Sequence, residues 1–113
     1  MATFETTTHP LAFAHMEGGV KTVFVMPFSL EYSVLTSGDR IEFDDLGSIT
    51  VGAVRRYDTL SAMMEREGHA NVVPEAESVD SAVESLRQSD GWSADKEAGG
   101  VLAFRVRSVK RKS

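Results

Sequence analysis

Ser37-Gly38-Asp39-Arg40-Ile41-Glu42-Phe43, then Gly47-Ser48-Ile49-Thr50-Val51-Gly52-Ala53-Val54-Arg55-Arg56-Tyr57, then Asp58-Thr59-Leu60-Ser61-Ala62-Met63-Met64-Glu65-Arg66-Glu67-Gly68: these runs decide the fold. Ser37-Gly38-Asp39 is turn chemistry, since Gly reaches positive φ freely and Asp bonds its own following backbone. Ile41 and Phe43 alternate with Arg40 and Glu42, the period of a half-buried strand. After a turn over residues 44–48 the alternation resumes with Ile49, Val51 and Ala53, and the strand ends at Tyr57. Asp58 or Thr59 then caps a helix whose Leu60, Met63 and Met64 share one face, and Gly68 stops it. Two strands feeding a short helix form a folding unit, and a site is expected near its edges.

Working outward, residues 2–8 read as a first strand anchored by Phe4, broken by His9-Pro10. Pro is tolerated in a first helical turn, so a helix is expected over 10–17, burying Leu11, Phe13 and Ala14. Val20 to Met26 is β-branched and apolar apart from Lys21 and Thr22, as an interior strand would be. Residues 27–36 connect without a readable conformation. Beyond the central unit, residues 69–77 read as a loop around Pro74. Ser78 caps a helix with the apolar face Val79, Ala82, Val83, Leu86. Ser93 caps a single turn through Glu97, and Gly99-Gly100 lead into a last strand over 101–109. There Val101, Ala103 and Arg105 share one face, and Leu102, Phe104 and Val106 the other.

The chain has 113 residues, 42% of them hydrophobic, enough for one small core. One domain is expected over 1–109, with 110–113 as a basic tail. The absence of cysteine removes disulfides and thiolate metal sites. His9, His15 and His69 are too far apart in sequence for a helical ligand pair, so no metal and no cofactor are expected. With no long apolar run and no signal-peptide pattern, the expectation is a cytoplasmic, monomeric protein without membrane contact. Net charge is −5, but the charge is split along the chain. All 17 acidic residues precede residue 105, while Arg105, Arg107, Lys110, Arg111 and Lys112 crowd the end. Such asymmetry can place a positive surface on an acidic body.

Lys21 is the residue to watch, because a lysine at the head of an apolar strand is partly desolvated. A desolvated ammonium has a depressed pKa and can act as a base or hold an anion. Arg55 and Tyr57 share a strand face, and Arg beside an aromatic suits a phosphate and a stacked base.

The whole unit resembles an ASCH domain, a small PUA-like β-barrel. The likeness rests on Gly38-Asp39-x-Ile41-x-Phe43, the strand ending in Tyr57, and Thr59-Leu60-x-x-Met63-x-x-x-Glu67-Gly68. It continues through Pro74, residues 78–88 and Gly100 to Phe104. The resemblance implies an α+β fold: a mixed β-barrel with two or three short helices and a ligand cleft. The family pattern Gly-x-Lys-x-x-Glu-x-Arg carries over onto Gly19 and Lys21, with Thr22 beside them, whereas Phe24 and Met26 stand at its Glu and Arg positions. One branch, an amidohydrolase of acetylated cytidine, uses that Lys with a Thr three residues later and a distal Glu. Phe24 stands at the Thr position. Glu65 or Glu67 is the acidic residue expected to face the cleft. The resemblance thus implies binding of RNA or a nucleotide-like ligand near Lys21, with Arg55, Tyr57, Arg105 and Arg107 contributing. The alternatives are a small amidohydrolase of modified nucleosides or a ribonuclease, using Lys21 with Thr22 and a Glu, or a protein-interaction adaptor.

Overall fold

A computed structural model describes residues 3–89 and 91–112. Among them, five strands form one curled, mixed sheet, a half-barrel with helices packed around it. The chain runs β1 (Thr3–Thr6), α1 (Pro10–Glu17), β2 (Val23–Pro27), α2 (Leu30–Ser33), β3 (Arg40–Phe43), β4 (Gly47–Tyr57) and α3 (Leu60–Glu67). It continues through α4 (His69–Val72), α5 (Val79–Arg87) and α6 (Ala94–Glu97) to β5 (Val101–Arg111). The sheet order is β1-β3-β4-β5-β2, with β1 parallel to β3 and the other pairs antiparallel. Three helices exceed two turns, as expected; α6 is the single turn expected after Ser93, and α2 and α4 are additional single turns. No described helix is long and apolar enough to cross a membrane.

The central unit folds as its pattern dictates. Thr59 caps α3 by accepting from Ala62 N, Leu60, Met63 and Met64 are buried, and Gly68 ends the helix at φ 92°. Ser78 caps α5 in a reciprocal box with Ser81. The sheet buries both faces where apolar runs are continuous. Val23, Val25, Val101 and Ala103 pack beneath α3, α4 and α5. Phe24, Leu102 and Phe104 join Phe13, Ile41, Phe43, Ile49 and Val51 inside the curl. Aromatic edges lock that second cluster, with Phe24 and Phe43 ring centroids 5.0 Å apart and nearly perpendicular.

Four local expectations change. In α1 the buried pair is Phe13 and Met16, while Leu11 is 54% exposed and Ala14 is exposed. Spacing by three residues aims Phe13 and Met16 into the curl, and Leu11 is left outside it. β2 begins at Val23 because the Val20 and Lys21 amides both donate to His15 O, closing the end of α1. Residues 69–77 contain the turn α4 instead of being wholly loop. Ala53 leaves the core face, because the β4–β5 register shifts twice between Thr50 and Val54. The extra residue reverses the parity, so Val54 packs inside the curl and Ala53 is exposed.

The basic end is in large part strand. Lys110 and Arg111 stay in the β4–β5 ladder, opposite Ser48 and Gly47. Arg111 donates twice from Nε and once from Nη2 to Glu17, at 2.8 to 3.0 Å, and lies over the Phe13 ring. Gly47 fits beneath this crossing only because it lacks a side chain. A Cβ there would stand 2.2 Å from Lys110 O, and its φ is 150°.

Candidate functional site

Among the described residues the sheet does not close. β1 and β2 are its two edges, and a cleft of about 710 Å³ opens along the seam between them. One wall is the segment from Thr6 into α1, the other is β2, and Val72 to Glu75 with the end of α5 close the rest. Trp92 lines its far side and donates from Nε1 to Glu97 at 2.9 Å, while Glu97 is also held by Arg87.

Lys21 stands in this cleft and is only 6% exposed. Its burial follows from the chain path. The bond from its amide to His15 O folds it under α1, and Thr22 N donates to Asn71 O, pinning the same segment to α4. The ammonium donates to Val72 O. An ammonium has three N–H donors, and Val72 O is the one hydrogen-bond acceptor it meets among the described residues. Burial pushes its pKa down from 10.5 to about 8, and the negative charge of Glu75 opposes that shift. Glu75 also approaches His15, with Nδ1 to Oε2 at 3.6 Å. Lys21, Glu75 and His15 all line the cleft, whose apolar lining includes Phe24, Met26, Pro27 and Leu86 and whose far walls carry Thr6 to Thr8, Gln88 and Ser89. Its acid–base inventory is a buried amine near neutrality, a carboxylate and an imidazole.

Several expected site residues lie elsewhere. Glu67 accepts a hydrogen bond from Tyr57 Oη, and Glu65 is exposed on α3; neither lines the cleft. The Tyr57 pKa is raised, first by desolvation and then by this bond. Thr22 is half-buried and carries a ladder bond from Val106 N to its carbonyl. Gly19 is an exposed positive-φ turn residue at 82°. Arg55, Arg105 and Arg107 are exposed on the outside of the sheet. The Cβ atoms of Arg105 and Arg107 flank Gly52, and Arg55 pairs with Ala103, so the three arginines share a face. Arg107 donates to Ser37 Oγ at 3.2 Å. Glu75 and His15 are what a reading by stretches misses, because each joins Lys21 in the cleft only through the tertiary fold. The family's need for a distal Glu could have pointed to Glu75, but the helix end offered nearer carboxylates.

No protein-family model matches the chain, and no curated protein matches it. Solved structures do. The crystal structure of hypothetical protein PH0355 superposes with a TM-score of 0.83 at 22% identity, covering 96% of this chain and 98% of the other. The solution structure of protein PF0455 from Pyrococcus furiosus gives 0.73 at 22% identity, with 96% of each chain covered. The likeness is one of fold. It extends the half-barrel and its helices over nearly the full length of two other chains.

Proposed function

We propose that the protein binds a nucleotide-like ligand, free or within RNA, in the cleft at Lys21. The observation that carries this reading is the buried ammonium of Lys21, which lines the cleft and has Val72 O as its one hydrogen-bond acceptor among the described residues. A buried cation without a full set of partners is expensive, and chains keep one where it meets a ligand oxygen. The apolar part of the lining and Trp92 suit a planar ring, and the positive face of Arg55, Arg105 and Arg107 suits a phosphate backbone. Support from the ASCH resemblance points the same way. Ligand-observed NMR with ribonucleosides, 5′-nucleotides and short single-stranded RNAs tests the reading, with the native chain and Lys21→Met side by side. Expected is binding that the substitution reduces at least tenfold; equal binding by both chains, or none by either, overturns it.

A second reading is hydrolysis, favoured by Glu75 in the same cleft as an amine whose pKa burial lowers to about 8. Phe24 stands where the amidohydrolase branch has its Thr, which removes a positioning group. Slow or absent turnover of acetylated cytidine is therefore expected. Robust turnover rising through pH 8 and lost in Lys21→Met would make this the primary activity.

A further inference from the structure

The second wall of the cleft is a strand edge, and its pairing pattern fixes which backbone groups it offers. Val106 N donates to Thr22 O, and Phe28 N donates to Gly100 O, both at 2.9 Å. The register places Phe24 opposite Phe104 and Met26 opposite Leu102, in step with those two bonds. In an antiparallel pair, alternate residues exchange both bonds with the partner and the residues between turn both groups away. Thr22, Phe24, Met26 and Phe28 therefore face β5. Val23, Val25 and Pro27 turn their backbone groups outward.

β2 is the last strand of the sheet, so no described strand meets that outward side. The cleft is lined by Phe24, Val25, Met26 and Pro27 in succession. Four consecutive residues lining one cavity fit a cleft that meets the strand edge-on, since a cavity over one face would meet alternate side chains. The Val25 side chain is accordingly buried under α4 and α5 with the first cluster, and the Phe24 side chain lies in the second. What Val25 presents to the cleft is its N–H and C=O, side by side and in the plane of the sheet.

We infer that this Val25 pair reads the hydrogen-bonding edge of a nucleobase-like ring carrying an adjacent donor and acceptor. The inference rests on the nucleotide reading of the same cleft and names the contact that selects the ring. An added peptide strand would use the same edge but needs successive pairs at alternate residues. The next outward residue is Pro27, which has no N–H to give, and Val23 on the other side does not line the cleft. One complete donor–acceptor pair fits a small planar ring better than a strand. Met26, Pro27 and Leu86 supply apolar walls, and Lys21 remains available for the sugar or phosphate oxygens.

The test titrates the isotopically labelled full chain with uridine and guanosine 5′-monophosphates and with their analogues methylated at uracil N3 or guanine N1. Methylation replaces the ring donor that the Val25 carbonyl would accept and leaves the phosphate unchanged. Expected is that at least one parent nucleotide binds, shifts the Val25 amide proton downfield and slows its exchange, with its methylated analogue at least tenfold weaker. Equal binding of parent and analogue with an unmoved Val25 amide overturns the edge contact, and continued loss of both in Lys21→Met would leave the cleft reading intact. Absence of binding by all four nucleotides overturns both.

Discussion

Replacing Lys21 with Met should make the protein more stable and less able to bind. The native side chain is buried with its charge, and its pKa falls from 10.5 to about 8. At about 1.4 kcal/mol for each factor of ten in acidity, holding the ammonium charged in the folded state costs roughly 3 kcal/mol at neutral pH. Met keeps the stem volume and drops the charge, but strips Val72 O of its donor, a loss of about 1 kcal/mol. The net gain is about 2 kcal/mol at pH 7, which for a chain of this length raises Tm by about 8 °C. The sign with pH follows from proton counting. Between pH 8 and 10.5 the unfolded lysine holds a proton that the folded one has released, so native stability rises with pH through that window. Above 10.5 the advantage of Met is gone and only the lost bond remains. Urea unfolding of both chains at pH 7 and pH 10.5 reads this directly. A Lys21→Met protein that is destabilised equally at both pH values would refute a buried, charge-strained ammonium.

Other perturbations follow from the same geometry. Gly47→Ala forces a Cβ against Lys110 O at a positive φ, and a loss of at least about 2 kcal/mol is expected by denaturant unfolding. A loss within a few tenths would show that the β4–β5 crossing is loose. Single-stranded RNA binding, measured over a salt series, should show a slope near −2, from three arginines at about 0.7 each. Glu17→Gln releases Arg111 from its ion pair and should steepen that slope by roughly 0.7; an unchanged slope would place the basic end outside the interface.

The fold was legible where short-range chemistry governs. The Thr59 and Ser78 caps, the Leu60, Met63, Met64 face and the two faces of β5 all follow from local period and turn residues. The sequence pattern failed where an extra residue changes parity. Gly52 within a strand is itself a sign of a bulge, yet alternation alone carries Ala53 into the core. Helix α1 was readable in extent but not in orientation, because Leu11, Phe13 and Ala14 compete until the curl of the sheet selects Phe13 and Met16. Lys21 stood out as a charge at the head of an apolar run, and it is buried. Its neighbours did not stand out: Glu75 and His15 come from a loop and a helix far apart in sequence, brought together by backbone bonds from Lys21 to His15 and from Thr22 to Asn71.

The most direct measurement is the ionisation of Lys21 itself, followed through its side-chain carbon by NMR across pH 6 to 11, with and without a bound 5′-nucleotide. The expected result is a midpoint near 8 in the free protein, moving upward when an anionic ligand binds beside the ammonium. A midpoint near 10.5 that no nucleotide moves would mean a solvated lysine, and the cleft would lose its central residue.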